Sequence, residues 1–316
     1  MLESFVRVFV TGATGFVGRH VVAELLARGH EVFAAVRDSS NFSTLLGGVV
    51  TTVSVDFTDK VSIRKALEAA APDAVVHLIG IISESRSKGI TFDSVHRKIS
   101  EDLYAASKEL GIKRAIHMSA LGVHQDAPSY YHRTKLAAER FLRSSGLAYT
   151  IFRPSLIIGP GQKLFSDMRR FAGIVPLIPL PQGGKHMMQP VDVRDVACSF
   201  AGALDDETTC NNVYEICGPD VVTFRELLDS IFSSWQNDVF YLSMPKWFMS
   251  AAGQIAETIM DNAPLSADLV RMMWKDNICG IYGDAAADAV KKVCGRDPVA
   301  LADSLRWALS SKSIDN

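Results

Sequence analysis

A tyrosine and a lysine stand four residues apart in SYYHRTKLAAERF, residues 129–141: Tyr131 and Lys135. At that spacing two side chains share one face of a helix. An ammonium beside a phenol favours the phenolate and lowers its pKa. A phenol tuned in this way gives or takes the proton of an alcohol or carbonyl while a hydride moves. Tyr130 has no lysine four residues on, so it does not compete for the role. Ser119, twelve residues before Tyr131, adds a hydroxyl that can orient a substrate oxygen. The spacing also suits the start of an ordinary amphipathic helix. The pair acquires chemistry only if the chain brings a nicotinamide to it.

A site for such a group is written in TGATGFVG, where Gly12, Gly15 and Gly18 lie between a predicted strand and a predicted helix. The first glycine permits the tight turn. The second lets a pyrophosphate approach the backbone, and the third lets helix and strand pack closely. The helix N-terminus then turns its free amides and positive dipole end toward the phosphates. Thr14, Phe16 and Val17 complete this predicted cradle.

The residue that ends the second strand usually separates NAD from NADP. An acidic side chain there hydrogen-bonds the ribose 2′-hydroxyl of NAD. Here EVFAAVRDSS puts Val36 at that position and Arg37 after it. Arg37 can pair with a 2′-phosphate, with Ser39 or Ser40 adding hydroxyls. Asp38 keeps the NAD alternative open. The expectation is NADP. Asp56 and Phe57 close the third strand near the predicted adenine, although Asp56 also suits a helix cap. Leu78 and Gly80 after the fourth strand, and Pro154 and Ser155 after the sixth, are the remaining predicted cofactor contacts, with Lys135 reaching the nicotinamide ribose. His77 reads as a packed core histidine.

The elements that must position these residues alternate. Strands are predicted at 7–12, 31–36, 49–56, 73–80, 114–120 and 148–155, with helices at 16–28, 60–70, 94–110 and 131–145 between them. Several strands are apolar on both faces, as in parallel sheets covered by helices on each side. The fold class is therefore α/β, a doubly wound parallel sheet of Rossmann type, whose ligands bind at the carboxyl ends of the strands. Beyond residue 160 the pattern loosens. GPGQK and IPLPQGGK read as loops, and an insertion at about 160–188 is expected to face the cleft, with Lys185 and His186 in it. Residues 190–204 read as a short strand and a helix capped by Asp195, and 212–218 as a strand rejoining the sheet. Residues 223–276 read as mostly helical. Two units are expected: a nucleotide-binding domain, 1–220, and a smaller, mostly helical substrate lobe, 221–316.

That lobe holds Met244, Trp247, Phe248, Met249, Met260, Met272, Met273 and Trp274. The stripe reads first as packing against the main domain. It could also line a pocket for an apolar, quinone-like substrate. A membrane-surface helix is conceivable, but Lys246 and Lys275 are too few for a basic lipid-binding face.

With 316 residues, 48% apolar and 22% charged, the chain has an ordinary globular composition. A net charge of −2 gives no reason to expect nucleic acid. Glu3 and Arg7 interrupt the first apolar run, which argues against a signal peptide. No membrane span is expected either. Five scattered cysteines argue against a disulfide framework or a zinc site, so the predicted home is a reducing cytosol and no metal is expected.

Together TGATGFVG, Asp56, YHRTK and FRPSLIIGPG resemble the extended short-chain dehydrogenase/reductases. VRD, HMSALG, YHRTKLAAE, MQPVDVRDVA, YEICGP and WKDN narrow the likeness to an atypical branch similar to the NAD(P)H-binding accessory subunit of respiratory complex I and its free-standing bacterial relatives. The resemblance implies NAD(P)(H) at Gly12, Gly15 and Gly18, with Tyr131 and Lys135 as the active pair. Two departures stand out. Ser119 is followed by Ala120 rather than a second hydroxyl residue, and His96 replaces the usual asparagine. Three functions follow: an NADP(H)-dependent oxidoreductase on a small alcohol or carbonyl, a non-catalytic NADP(H)-binding or redox-sensing module, and a sugar-nucleotide epimerase or dehydratase. Related proteins often pair through helices near 94–110 and 131–145, which makes a homodimer compatible with all three.

Overall fold

A computed structural model describes residues 5–37, 50–174, 177–259, 266–272, 275–283, 285–287 and 289–310. Along the first half of the chain run β1 (Arg7–Thr11), α1 (Phe16–Ala27), β2 (Glu31–Val36), β3 (Thr51–Ser54), α2 (Lys60–Ala70) and β4 (Ala74–His77). A π-helical turn, Asp93–Lys98, leads into α3 (Ile99–Glu109). Then come β5 (Arg114–Met118), α4 (Tyr130–Ser144) and β6 (Ala148–Pro154). The second half adds β7 (Ile157–Ile158), α5 (Lys163–Ile174), β8 (Leu177–Pro181), β9 (Met187–Met188), β10 (Val191–Asp192), α6 (Val193–Asp205) and β11 (Asn212–Ile216). It closes with β12 (Val222–Thr223), α7 (Phe224–Ser234), β13 (Phe240–Met244), α8 (Lys246–Ile259), α9 (Ala267–Met272), α10 (Ala289–Cys294) and α11 (Leu301–Ser310).

Seven strands form one parallel sheet in the order β11-β6-β5-β4-β1-β2-β3. Strands are added outward in one direction from β1 to β3 and in the other from β4 to β11, and the switch between β1 and β4 opens the crevice where such sheets take ligands. Alternate residues of a strand face opposite sides, and β1 shows why its run is apolar throughout. Val8 and Val10 pack with Val21 and Leu25 of α1 and Phe200 of α6. Phe9 packs on the other face with Ile63 and Leu67 of α2 and Leu103 of α3. As expected, β11 rejoins the sheet beside β6.

Several expectations need correction. IPLPQGGK is not all loop: β8 pairs in parallel with β13, so a strand also interrupts the helical reading of 223–276. Two prolines are tolerated in β8 because a two-stranded ribbon leaves donor positions unpaired. The cap of α6 is Asp192, which accepts from the Arg194 amide, and not Asp195, which lies buried in the first turn and pairs with Arg296. The apolar stripe divides. Met249 is buried, whereas Trp247 is 71% exposed and Phe248 44%, so packing against the main domain explains only part of it. Met260, Met273 and Trp274 lie outside the described residues, as do Asp38, Ser39 and Ser40. Disulfides join Cys198 to Cys294 and Cys217 to Cys279. Sequence spacing could not show this, because the partners are 96 and 62 residues apart and only folding brings them together. The case for a reducing home loses its premise. Among the described residues no helix is long and apolar enough to cross a membrane, and no cluster is suited to a metal.

Candidate active site

The glycine turn has the shape that the sequence requires of it. Gly12 has φ +71°, a conformation that side chains rarely adopt, and a Cβ there would stand 3.1 Å from the Leu78–Ile79 backbone. A Cβ on Gly18 would meet the Gly12 carbonyl oxygen at 2.1 Å, so only glycine lets α1 lie this close to β1. Gly15 occupies the N-cap position of α1 with no side chain capping the amides, and both Thr14 and Gly15 are exposed. Phe16 and Val17 open the helix. A bare, outward-facing helix N-terminus beside the switch point fits a dinucleotide diphosphate.

The other predicted contacts border the same edge. Arg37 is exposed one residue beyond β2. Asp56 is exposed, and its carboxylate accepts from the amide and hydroxyl of Thr58, which hold its pKa down. Asp59 caps α2 instead. Phe57 is half-buried, Leu78 buried and Gly80 exposed. Pro154 ends β6, and the buried Ser155 hydroxyl donates to Asn277 Oδ1 at 2.5 Å.

Tyr131 and Lys135 stand on the first turns of α4, whose start is held by two caps. Ser129 accepts from the His132 amide. The Asp268 carboxylate of α9 accepts from the amides of Tyr130 and Tyr131, at 2.7 and 2.8 Å. Lys135 is buried, and its Nζ donates to the Met118 carbonyl at 2.9 Å. A Cβ on Gly80 would stand 3.1 Å from that Nζ and 3.7 Å from His96 Nε2. The Tyr131 ring meets the His96 ring edge-on at 5.1 Å between centroids. Gly80, His96, Tyr131 and Lys135 therefore converge at the mouth of the sheet. His96 is held by both ring nitrogens: Nε2 lies 3.1 Å from both the amide and the carbonyl of Ile81, and Nδ1 3.1 Å from the Thr134 hydroxyl.

Burial sets the electrostatics. It lowers Lys135 to about 8, with Glu139 partly holding it up. It raises Tyr131 to about 12, the opposite of the lowering expected from the lysine. Burial, with Lys135 adding repulsion, lowers His77 to about 3 and His96 to about 2. His77 is indeed a packed core histidine, bridged to the hydroxyls of Thr11 and Ser100.

Ser119 is placed differently from its neighbours. Its hydroxyl donates to Glu139 Oε1 at 2.5 Å, inside a buried network in which Arg153 donates to both Glu139 oxygens at 2.9 and 2.7 Å. Sequence reasoning passed over Glu139, Arg153, Asp268 and Asn277. A signal existed for one pair: an arginine inside the apolar strand AYTIFRP requires a buried counter-charge.

The family model described as the NAD dependent epimerase/dehydratase family matches residues 8–217. An Arabidopsis thaliana protein, NADH dehydrogenase [ubiquinone] 1 alpha subcomplex subunit 9, mitochondrial, is 34% identical over 87% of this chain and 69% of its own length. The Mus musculus protein of the same name is 32% identical over 78% of this chain and 66% of its own. The names are those of mitochondrial proteins and give the expected cytosolic home no support. Among solved structures, a nucleoside-diphosphate-sugar epimerase from Staphylococcus aureus superposes with TM-score 0.74 at 19% identity, covering 95% of this chain and 99% of the other. An NADPH-dependent quinone oxidoreductase from Escherichia coli, complexed with NADPH, gives 0.73 at 19% identity, covering 94% and 98%. These two structures establish the fold.

Proposed function

The chain belongs to the NAD dependent epimerase/dehydratase family, the extended short-chain dehydrogenase/reductases, and from that premise we propose that it binds NADP(H) and reduces a small carbonyl substrate. The observation that carries the reading is the meeting of Gly80, His96, Tyr131 and Lys135 at the open edge of β4 and β5. The amides at Gly12–Gly18 would hold the diphosphate. Arg37 takes the 2′-phosphate and Asp56 faces the adenine side. When bound, the nicotinamide supplies the hydride. Lys135, fixed by the Met118 carbonyl, has donors left for the ribose hydroxyls. With a pKa of about 12, Tyr131 is a neutral phenol at pH 7 and is poised to give a proton to a carbonyl oxygen. Residues 221–316 form the substrate lobe, reaching the site through Asp268 and Asn277.

One observation favours a second reading. The Ser119 hydroxyl is spent on Glu139, which leaves the substrate oxygen one partner fewer. A nucleotide-holding module without turnover, as befits a relative of the complex I subunits, needs no such hydroxyl. Assay of NADPH oxidation against a panel of small carbonyls and quinones separates the two. The oxidoreductase reading predicts turnover that Tyr131→Phe lowers about 100-fold or more with nucleotide binding intact. Nucleotide retained through purification with no turnover of any member supports the module. Conversion of a sugar nucleotide without net cofactor consumption would instead support an epimerase.

A further inference from the structure

We propose that Cys217 and Cys279 are a reversible dithiol–disulfide site that fastens residues 275–283 as a strap across the carboxyl edge of the sheet. Its position beside the nicotinamide rests on the function proposed above; the redox exchange itself does not. Cys217 follows the last residue of β11, and its Cα lies 6.2 Å from that of Cys279, within the reach of a disulfide. Cys217 is 7% exposed, whereas Cys279 is half-buried, which makes it the more accessible of the two.

Hydrogen bonds tie the strap to Met187, Gln189, Glu215 and Ser155. The Asn277 amide donates to Met187 and its carbonyl accepts from Gln189. The Cys279 amide donates to Gln189 Oε1 at 3.0 Å, and the Gly280 amide to Glu215 Oε2 at 2.6 Å. Asn277 Oδ1 takes the hydroxyl of Ser155, the side chain predicted to meet the cofactor. Tyr282 stacks on His124 at 5.0 Å. Residues 275–283 contain no α-helix or β-strand, so these few bonds and the disulfide hold them in place. Removing the covalent tie leaves a segment of low local stability.

The exchange is balanced with a low-molecular-weight disulfide, RSSR, of the glutathione class. The Cys279 thiolate attacks one sulfur of RSSR and RS⁻ leaves. The Cys217 thiolate then attacks the mixed disulfide at Cys279, and the second RS⁻ leaves. Two protein thiols are oxidised, one RSSR becomes two RSH, and the protons of the protein thiols end on the released thiolates. A dithiol reductant reverses the sequence.

Hydrogen exchange with mass spectrometry on the full chain tests this, comparing protein treated with glutathione disulfide and with dithiothreitol. The expected result is a 217–279 cross-linked peptide in the oxidised sample only. Exchange at the Cys279 and Gly280 amides should rise about tenfold or more on reduction. Cys279→Ser should show the fast exchange under both treatments, and Cys198→Ser should keep the wild-type response, which excludes the second disulfide as the cause. Absence of the cross-link, or identical exchange in wild-type protein under both treatments, overturns the proposal even if a variant fails to fold. NADPH titration of the same samples reads the functional proposal separately: a working strap in a chain that binds no nucleotide refutes that reading and leaves the switch standing.

Discussion

Glu139 is the residue whose removal the structure makes most costly near the site. Glu139 and Arg153 are both fully buried, and the guanidinium donates two bonds to the carboxylate. Glu139→Gln deletes the charge but not the volume, and takes from the buried guanidinium the carboxylate that accepts two of its bonds. The exposed Arg143 lies 3.9 Å from the same carboxylate and loses that counter-charge as well. Breaking such a pair costs about 3–5 kcal/mol, a large part of the ~5–15 kcal/mol that ordinarily separates folded from unfolded chains. Replacing both members, Glu139→Leu with Arg153→Met, removes the two charges together and should cost clearly less than the sum of the single changes. Urea unfolding of the wild type, Glu139→Leu, Arg153→Met and the double variant measures the cycle, with Glu139→Gln beside them. A loss below about 1 kcal/mol for Glu139→Gln, or simple additivity in the double variant, would refute the reasoning. Because Glu139 helps to hold Lys135 up, Glu139→Gln should also move Lys135 further below about 8, read as faster amine acylation of Lys135 at neutral pH.

Other expectations are as specific. Gly15→Ala places a methyl 3.2 Å from the Gly12 carbonyl in an exposed cradle, and should weaken NADPH binding about tenfold or more while leaving the urea midpoint unchanged; unaltered affinity would count against the cradle. Arg37→Ala should weaken NADPH binding far more than NADH binding in calorimetric titration, and equal losses would remove the assignment of the 2′-phosphate. The buried His77 and His96 are neutral in the fold down to about pH 3 and 2, while the unfolded chain takes up protons below about 6.5. Stability should therefore be full above about pH 6.5 and fall below it, by roughly 1.4 kcal/mol per pH unit for each histidine, or about 4 kcal/mol for the two at pH 5; a urea midpoint that stays flat from pH 7 to 5 would contradict this. Asp268→Ala should cost about 1 kcal/mol and speed exchange of the Tyr130 and Tyr131 amides, as loss of a helix cap does.

Much of this architecture was legible in the residues because its causes are local. Glycines that must pass close to a neighbouring backbone, and strands apolar on both faces, announce a doubly wound sheet without long-range information. Gly12, Gly15 and Gly18 were readable for that reason, as was the helix that carries Tyr131 and Lys135. What escaped depends on contacts across the fold. Asp268 reaches the start of α4 from 137 residues away, and Asn277 meets Ser155 across 122. Neither carries a local pattern. The cysteines misled for the same reason, since their spacing says nothing about two segments that meet at one edge. The IPLP run looked like a loop because proline usually breaks strands, and only pairing with β13 explains it.

The central claim is that the amides at the start of α1 hold a pyridine dinucleotide. Calorimetric titration of the purified chain with NADPH, NADP, NADH and NAD tests it most directly. The proposed function predicts one site per chain with measurable heat, tighter for the phosphorylated pair if Arg37 takes the 2′-phosphate. No heat and no thermal shift with any of the four at saturation would contradict it.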